Sequence, residues 1–236
     1  MDRGRYWSMG HLSRCFGLVL CLSLTAFPGL AGNQSADQLQ HQLQERLAGV
    51  GSLHTSFVQI TVDSSSEMVQ SSEGELWLLS DDELAKFRIQ TKTPFEQVLV
   101  SNGVDFWSYD ADLEQVVVSP LQKDVTRVPI LLLGNSDEAL LTNYQLSFYE
   151  DDDTQHFVLE PRLTDSLFEL LTIVFDAEIP VEISLRDSLG QQTKIRFIGP
   201  EIDAEIPDGT FDFQVPAGID LIDDRQSAID ESAIDN

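Results

Sequence analysis

Phe95-Glu-Gln-Val-Leu-Val-Ser-Asn-Gly-Val-Asp-Phe-Trp-Ser-Tyr109 is the stretch from which the fold class follows. Two runs rich in β-branched and aromatic residues, Phe95–Ser101 and Val104–Tyr109, flank Asn102-Gly103. Asn-Gly tolerates positive φ at both central positions of a tight turn, so the stretch predicts a β-hairpin. Asp110-Ala111-Asp112 serves the next reversal, and Leu113–Ser119 continues as a third strand. Working outward, β-rich runs separated by turn residues precede the hairpin at Phe57–Val62, Met68–Leu79 and Phe87–Thr91. Others follow it at Tyr144–Tyr149, Gln155–Glu160, Phe168–Phe175, Val181–Asp187, Thr193–Ile198 and near Thr210–Val215. About a dozen antiparallel strands in ~185 residues predict a mainly β (α+β) chain built on a single curved sheet.

Two helical pieces interrupt this pattern. Leu39, Leu43, Leu47 and Val50 recur at helical spacing, Ser35 or Asp37 can cap the start, and Gly49 and Gly51 mark the stop. One face of that helix is apolar and the other rich in glutamine, as expected of a helix resting on an apolar surface. Arg127-Val-Pro-Ile-Leu-Leu-Leu-Gly134, opened by a proline and closed by a glycine, predicts a second, brief helix. No linker divides the chain, so residues 32–226 are expected to form one domain. Residues 227–236, which repeat Ser-Ala-Ile-Asp, are expected to form a flexible acidic tail.

The first residues read as a leader. Arg3, Arg5 and Arg14 precede an apolar run from Cys15 to Phe27, followed by Pro28-Gly-Leu-Ala-Gly32. A basic flank, a short apolar segment and small residues form a secretory signal peptide, and ~13 apolar residues are short of the ~20 that span a bilayer. Residues 1–31 are therefore expected to be cleaved. Leu20 is too bulky for the position before a lipidated cysteine, so Cys21 is not expected to carry lipid. Both cysteines, Cys15 and Cys21, leave with the leader, and the mature chain holds together without disulfides.

Forty acidic against 14 basic side chains give a formal charge of −26. Removing the three arginines and one aspartate of the leader leaves 39 and 11, a balance of −28. That charge excludes a general nucleic-acid binder and a polybasic dock on anionic lipid. Hydrophobic residues at 42% support a sizeable core. The expected product is an exported, soluble protein with no stable membrane anchor, its charge on the outer face, the turns and the tail.

Catalytic patterns are nearly absent. There is no glycine-rich phosphate loop and no Gly-x-Ser-x-Gly elbow. His41, His54 and His156 are widely spaced, and Glu150-Asp-Asp-Asp153 fits a charged hairpin turn better than a calcium loop. No cofactor is implied. Trp77, Phe87, Trp107 and Tyr109 lie on consecutive strands with several aliphatic companions. Two readings remain open on these residues alone: a sheet core filled by the helices, or a concave face left partly empty for an apolar ligand.

Six segments stand out in order: Leu53-His-Thr-Ser-Phe-Val-Gln59; Gly74-Glu-Leu-Trp77; Gln97 to Gly103 with Phe106-Trp-Ser-Tyr109; Leu113-Glu-Gln115; Pro129-Ile-Leu-Leu-Leu133; and Phe211 to Gly218 with Asp223-Asp-Arg225. In order and in register, they resemble the periplasmic outer-membrane lipoprotein carrier family, LolA. The resemblance covers roughly Ala36 to Gln226. It implies an incomplete β-barrel whose concave face is covered by a lid of short helices. It implies further that the cavity takes the acyl chains of lipoproteins released by an inner-membrane ABC transporter and yields them to an outer-membrane acceptor lipoprotein. A monomeric periplasmic chaperone without enzymatic activity is the expectation. A lipid-binding or sensor protein of the same fold, and an extracytoplasmic hydrolase, stand as alternatives.

Leu99 and the segment Ile130, Leu131 and Leu133 match positions where the family lines its cavity and lid. Phe87 matches an aromatic position after the Trp77 strand. Leu43 and Leu47 of the helix, with Phe57, Trp77, Ile89, Trp107 and Tyr109 of the strands, complete the expected acyl-chain site. One departure stands out. The family usually carries a basic residue and a proline soon after the Trp strand, and the arginine ties the lid closed. Here the stretch is Leu78-Leu-Ser-Asp-Asp-Glu83, which leaves Lys86 and Arg88 as candidate lid-closing donors, with an outward strand residue as the alternative reading of Arg88.

Overall fold

The computed structural model describes residues 35–80, 85–121, 129–134, 141–162, 166 and 168–225. The expected leader and tail lie outside the described residues.

One α-helix, α1 (Ala36–Ala48), opens the described chain. Ser35 caps it: its hydroxyl accepts from the Gln38 backbone N–H at 3.3 Å, and the Gln38 side chain accepts from the Ser35 N–H at 2.9 Å. This reciprocal box satisfies two donors that a helix start otherwise leaves unpaired. Leu39, Leu43 and Leu47 are its buried stripe.

Among the described residues twelve strands follow: β1 Ser52–Val62, β2 Met68–Leu79, β3 Lys86–Thr93, β4 Gln97–Ser101, β5 Asp105–Asp110, β6 Gln115–Pro120, β7 Tyr144–Asp151, β8 Thr154–Pro161, β9 Phe168–Asp176, β10 Ile179–Asp187, β11 Gln192–Ile202 and β12 Asp220–Asp223. Between β6 and β7, Pro129–Leu132 form one turn of 3-10 helix, the brief helix read from the proline and glycine signals. The strands make one sheet in the order β12-β6-β5-β4-β3-β2-β1-β11-β10-β9-β8-β7. Two antiparallel meanders are joined where β1 pairs with β11, for instance Phe57 with Phe197. The sheet curves but stays open, with β12 and β7 as its edges. Bulges at His54–Ser56 and at Glu73–Gly74 interrupt the ladders, and extra residues of this kind bend a strand.

The expected last strand near Thr210–Val215 is not formed. Those residues are turn and irregular backbone between Gly209, whose φ is +79°, and Pro216. The final strand is instead β12, parallel to β6. The Asn-Gly hairpin forms with a three-residue loop in which only Gly103 takes positive φ. Asn102 acts through its side chain, whose Oδ1 accepts from the N–H groups of Val104 and Asp105, both at 2.9 Å. Glu150–Asp153 forms the β7–β8 turn, with Asp152 at φ +51°.

Antiparallel register assigns each side chain to one face. On the inner face Leu53 pairs with Leu78, Thr55 with Leu76 and Phe57 with Gly74. Phe87, Ile89 and Leu99 continue it across β3 and β4. Gly74 is required by a close approach: a Cβ there would lie 2.2 Å from the Gln90 carbonyl oxygen and 2.8 Å from the Phe57 ring. The inner face carries the core, in which Leu43, Leu47, Leu132, Leu133, Phe157 and Leu159 are fully buried.

On β4 and β6 the outer face is buried as well. Val98, Val100, Val116 and Val118 are covered. Phe213, from the segment before β12, packs on Trp107 and Tyr109 with ring centroids 6.4 and 6.2 Å apart. Arg225 fixes the end of β12 by pairing with Asp105 at 3.1 Å and with Asp223.

Candidate functional site

The inner face is divided into two bands. Toward the 3-10 turn its residues are apolar: Leu76, Ile89, Leu99, Phe57, Ile195 and Phe197. Toward the turns that join β1 to β2 and β3 to β4 they are polar: Gln59, Gln70, Ser72, Thr91, Gln97 and Thr193. The 3-10 turn roofs the apolar band and contributes Ile130, while Ile183 and Leu185 of β10 form the far wall. The space enclosed is about 590 Å³. Its mouth carries Phe95 and Leu113, both more than 60% exposed, beside Asp110 and Asp112.

The chain folds this way locally because β1, β2 and β11 are long and change character along their length. Phe57 is followed two residues on by Gln59, and Leu76 is preceded by Ser72, so the apolar floor gives way to hydrogen-bonding groups at one level. Large inner side chains at Phe87, Leu78 and Leu53 fill the other end completely, where the 3-10 turn packs down. Gly134 sits against Ala85 and Leu78, leaving no room for a side chain.

Four expected site residues meet in this cavity: Phe57, Ile89, Leu99 and Ile130. Leu43, Leu47, Phe87, Leu131 and Leu133 are buried in the core beside it and do not line it. Trp77, Trp107 and Tyr109 do not face it. Trp77 pairs in register with His54 and Arg88 and stacks on the His54 ring at 5.1 Å. Trp107 and Tyr109 pair with Val100 and Val98 on the outer face, beneath Phe213. Alternation forbids them from sharing a face with Leu99.

The two candidate lid-closing donors lie on the outer face of β3. Arg88 lies between Phe87 and Ile89, so it projects from the outer face, where its guanidinium donates to the Thr210 carbonyl at 3.4 Å. Burial there pushes its pKa below the usual arginine value. Lys86 pairs with Leu79 on that same face. Among the described residues Ser80 ties the roof to the end of β2, its hydroxyl donating to the Gly134 carbonyl at 3.0 Å. Nothing in residue type marked Ser80, but its place at the head of the stretch after the Trp strand was a usable signal. The second half of the site, Ile183, Leu185, Ile195 and Phe197, was missed, although Lys194 and Arg196 alternate with Ile195 and Phe197 in the sequence.

Among the described residues no group of three or more His, Cys, Asp or Glu could hold a metal ion. His41 is exposed, 3.9 Å from Glu45, and His156 stacks on Tyr149 at 4.4 Å. These histidines stand apart from the cavity. The described lining offers shape and apolar area, with the carboxylates of Asp110 and Asp112 at its mouth.

An open half-barrel with a roofed, apolar-floored cavity is the class of protein that this fold and site define. The model of the outer membrane lipoprotein carrier protein family, LolA, matches residues 48–214. An outer-membrane lipoprotein carrier protein of Chromohalobacter salexigens is 36% identical over 206 residues, which cover 87% of this chain and 93% of the relative. One from Alkalilimnicola ehrlichii is 37% identical, covering 87% and 92%. Among solved structures, a conserved protein of Thermus thermophilus superposes with a TM-score of 0.50 at 13% identity, over 80% of this chain and 99% of its own, a likeness of fold. The chain belongs to the LolA outer-membrane lipoprotein carrier family.

Proposed function

We propose that this protein is a periplasmic carrier that holds the acyl chains of lipoproteins in the cavity beneath Ile130. It receives them from an inner-membrane ABC transporter and yields them to an outer-membrane acceptor lipoprotein. The single observation that supports this most is the cavity of about 590 Å³, floored by Phe57, Leu76, Ile89 and Leu99, in a chain of this family. The reading includes export after removal of residues 1–31, action as a monomer and no enzymatic turnover. Among the described residues no helix is long and apolar enough to cross a membrane.

The mechanism is a matter of competing free energies. Each buried methylene contributes about 0.8 kcal/mol, so a chain of about twelve offers ~10 kcal/mol before association costs of comparable size. That gain opposes the apolar packing of the roof and the Ser80–Gly134 hydrogen bond, a neutral contact with a net contribution of about 1 kcal/mol. Roof and acyl chain compete for the same floor. Onward transfer requires the acceptor to bind the chains more strongly, because a carrier moves cargo only down a free-energy difference.

The test is purification from a native periplasm, followed by mass spectrometry of what accompanies the protein. Lipoproteins carrying intact acyl chains are the expected companions. Recovery of free lipid alone, with no lipoprotein, overturns the carrier reading.

A further inference from the structure

Methylene for methylene, the acyl chains of a lipoprotein and of a phospholipid bury alike, so chains alone discriminate only through their number. What meets the polar head is a second source of discrimination. The inner face supplies such a region over two adjacent levels of the sheet, with Gln59 opposite Ser72 at one and Thr91 opposite Gln97, beside Gly74, at the next. Gln59 on β1, Ser72 on β2, Thr91 on β3 and Gln97 on β4 occupy successive strands, each two residues beyond an apolar floor position or the Gly74 gap. Thr61 and Thr193 extend the row, their hydroxyls 3.1 Å apart. Among the described residues, the side chains of Gln59, Gln70 and Gln97 are not engaged in hydrogen bonds with protein groups, and all three line the cavity. Asp110, paired in register with Gln97, and Asp112 close the belt at the mouth. None of the described lining residues is Lys, Arg or His.

We infer that this belt is a head-selective subsite: it takes the neutral ester and amide junction of a lipidated cysteine and rejects the phosphate of a phospholipid. The inference rests on the carrier reading above and specifies which end of the cargo sits where. The chains run toward Ile130 and the head lies among the glutamines. Glutamine amides donate to ester and amide carbonyls and accept from amide N–H groups, so an uncharged junction finds partners for every group it loses from water. A phosphate arriving at the same level meets two carboxylates and no cation. Like charges separated by a few ångströms at a wet surface repel enough to change affinity about tenfold.

The experiment displaces a neutral fluorescent probe, N-phenyl-1-naphthylamine, from the purified mature chain. Two competitors carry the same pair of octanoyl chains below their aggregation concentrations. One is an N-acetyl, C-amide S-diacylglyceryl cysteine, and the other is phosphatidylglycerol. The cysteine lipid is expected to bind about tenfold more tightly at low ionic strength, with the ratio shrinking in salt. Asp110→Asn keeps the side-chain oxygen that accepts from the Asp112 and Leu113 N–H groups, and together with Asp112→Asn it is expected to gain phosphatidylglycerol affinity several-fold. Gln59→Leu with Gln97→Leu is expected to weaken the cysteine lipid several-fold. Equal affinities in the wild-type chain, or a ratio that neither double variant moves, overturns the subsite while the carrier reading stands, since both lipids still displace the probe. If neither lipid displaces it, the carrier reading itself falls, and the subsite with it.

Discussion

Replacing Leu99 by glutamate perturbs the cavity floor at its centre. Leu99 is only partly buried, pairs with Ile89 across β3 and β4, and faces the enclosed space. An acyl chain lying over it covers the remaining exposed part of the side chain, a contact of about 1 kcal/mol. A carboxylate at this position stays hydrated, because drying it costs several kcal/mol. The chain must then lift from that strand and leave two or three methylenes uncovered, about 2 kcal/mol more. The total of about 3 kcal/mol corresponds to ~100-fold weaker binding. Stability should change far less, since the new carboxylate reaches the solvent of the open mouth. A loss of about 1–2 kcal/mol lowers the melting temperature of a domain this size by a few degrees. Probe titration alongside thermal denaturation followed by circular dichroism measures both effects. Binding within threefold of the wild-type value, with an unchanged melt, refutes the floor assignment. Leu131→Glu does not provide the same test, because Leu131 is only 4% exposed in the core and a charge there unfolds the roof.

Three further outcomes are expected. Ser80→Ala removes the roof hydrogen bond and should lower stability by about 1 kcal/mol while strengthening probe binding several-fold; weaker binding contradicts the competition between roof and cargo. Phe213→Ala should destabilise the protein by about 2–4 kcal/mol in denaturant titrations yet leave probe affinity unchanged, because Phe213, Trp107 and Tyr109 pack on the outer face. The Arg225 guanidinium holds the Asp223 carboxyl down at about 2 against an ordinary 3.8, so its stabilisation is present above pH 3.8 and is lost as pH falls through about 2. Amide-exchange protection at residues 220–223, taken relative to the intrinsic exchange rate at each pH, should fall across that window, and Asp223→Asn should abolish that fall.

The strands were legible because alternation and turn chemistry agreed along most of the chain. Ser101-Asn102-Gly103 gave a hairpin, and the Leu39, Leu43 and Leu47 stripe gave α1. The faces were legible too, but only through register. Any short loop at Asn102-Gly103 that pairs Ser101 with Val104 or with Phe106 places Leu99 opposite even-numbered partners on β5, so Trp107 and Tyr109 must lie on the other side. What obscured this was burial on both faces: Val98, Leu99 and Val100 are all apolar, since one side meets the cavity and the other the Phe211–Phe213 segment. Apolar character therefore did not report which face was which. Thr210–Val215 misled for the same reason, because Phe211 and Phe213 alternate like a strand while packing as an irregular cover. The roof donor at Ser80 was obscured because a serine hydroxyl, unlike a basic side chain, does not stand out by residue type.

The central claim is that cargo acyl chains lie on the inner face, against Leu99. A photo-crosslinking amino acid placed at residue 99 of the protein in living cells tests this directly, with the same group at the outward-facing, half-exposed Ile198 as the comparison. The account predicts ultraviolet-dependent adducts with lipoproteins at position 99 and none at position 198. Adducts at 198 and none at 99 would contradict it.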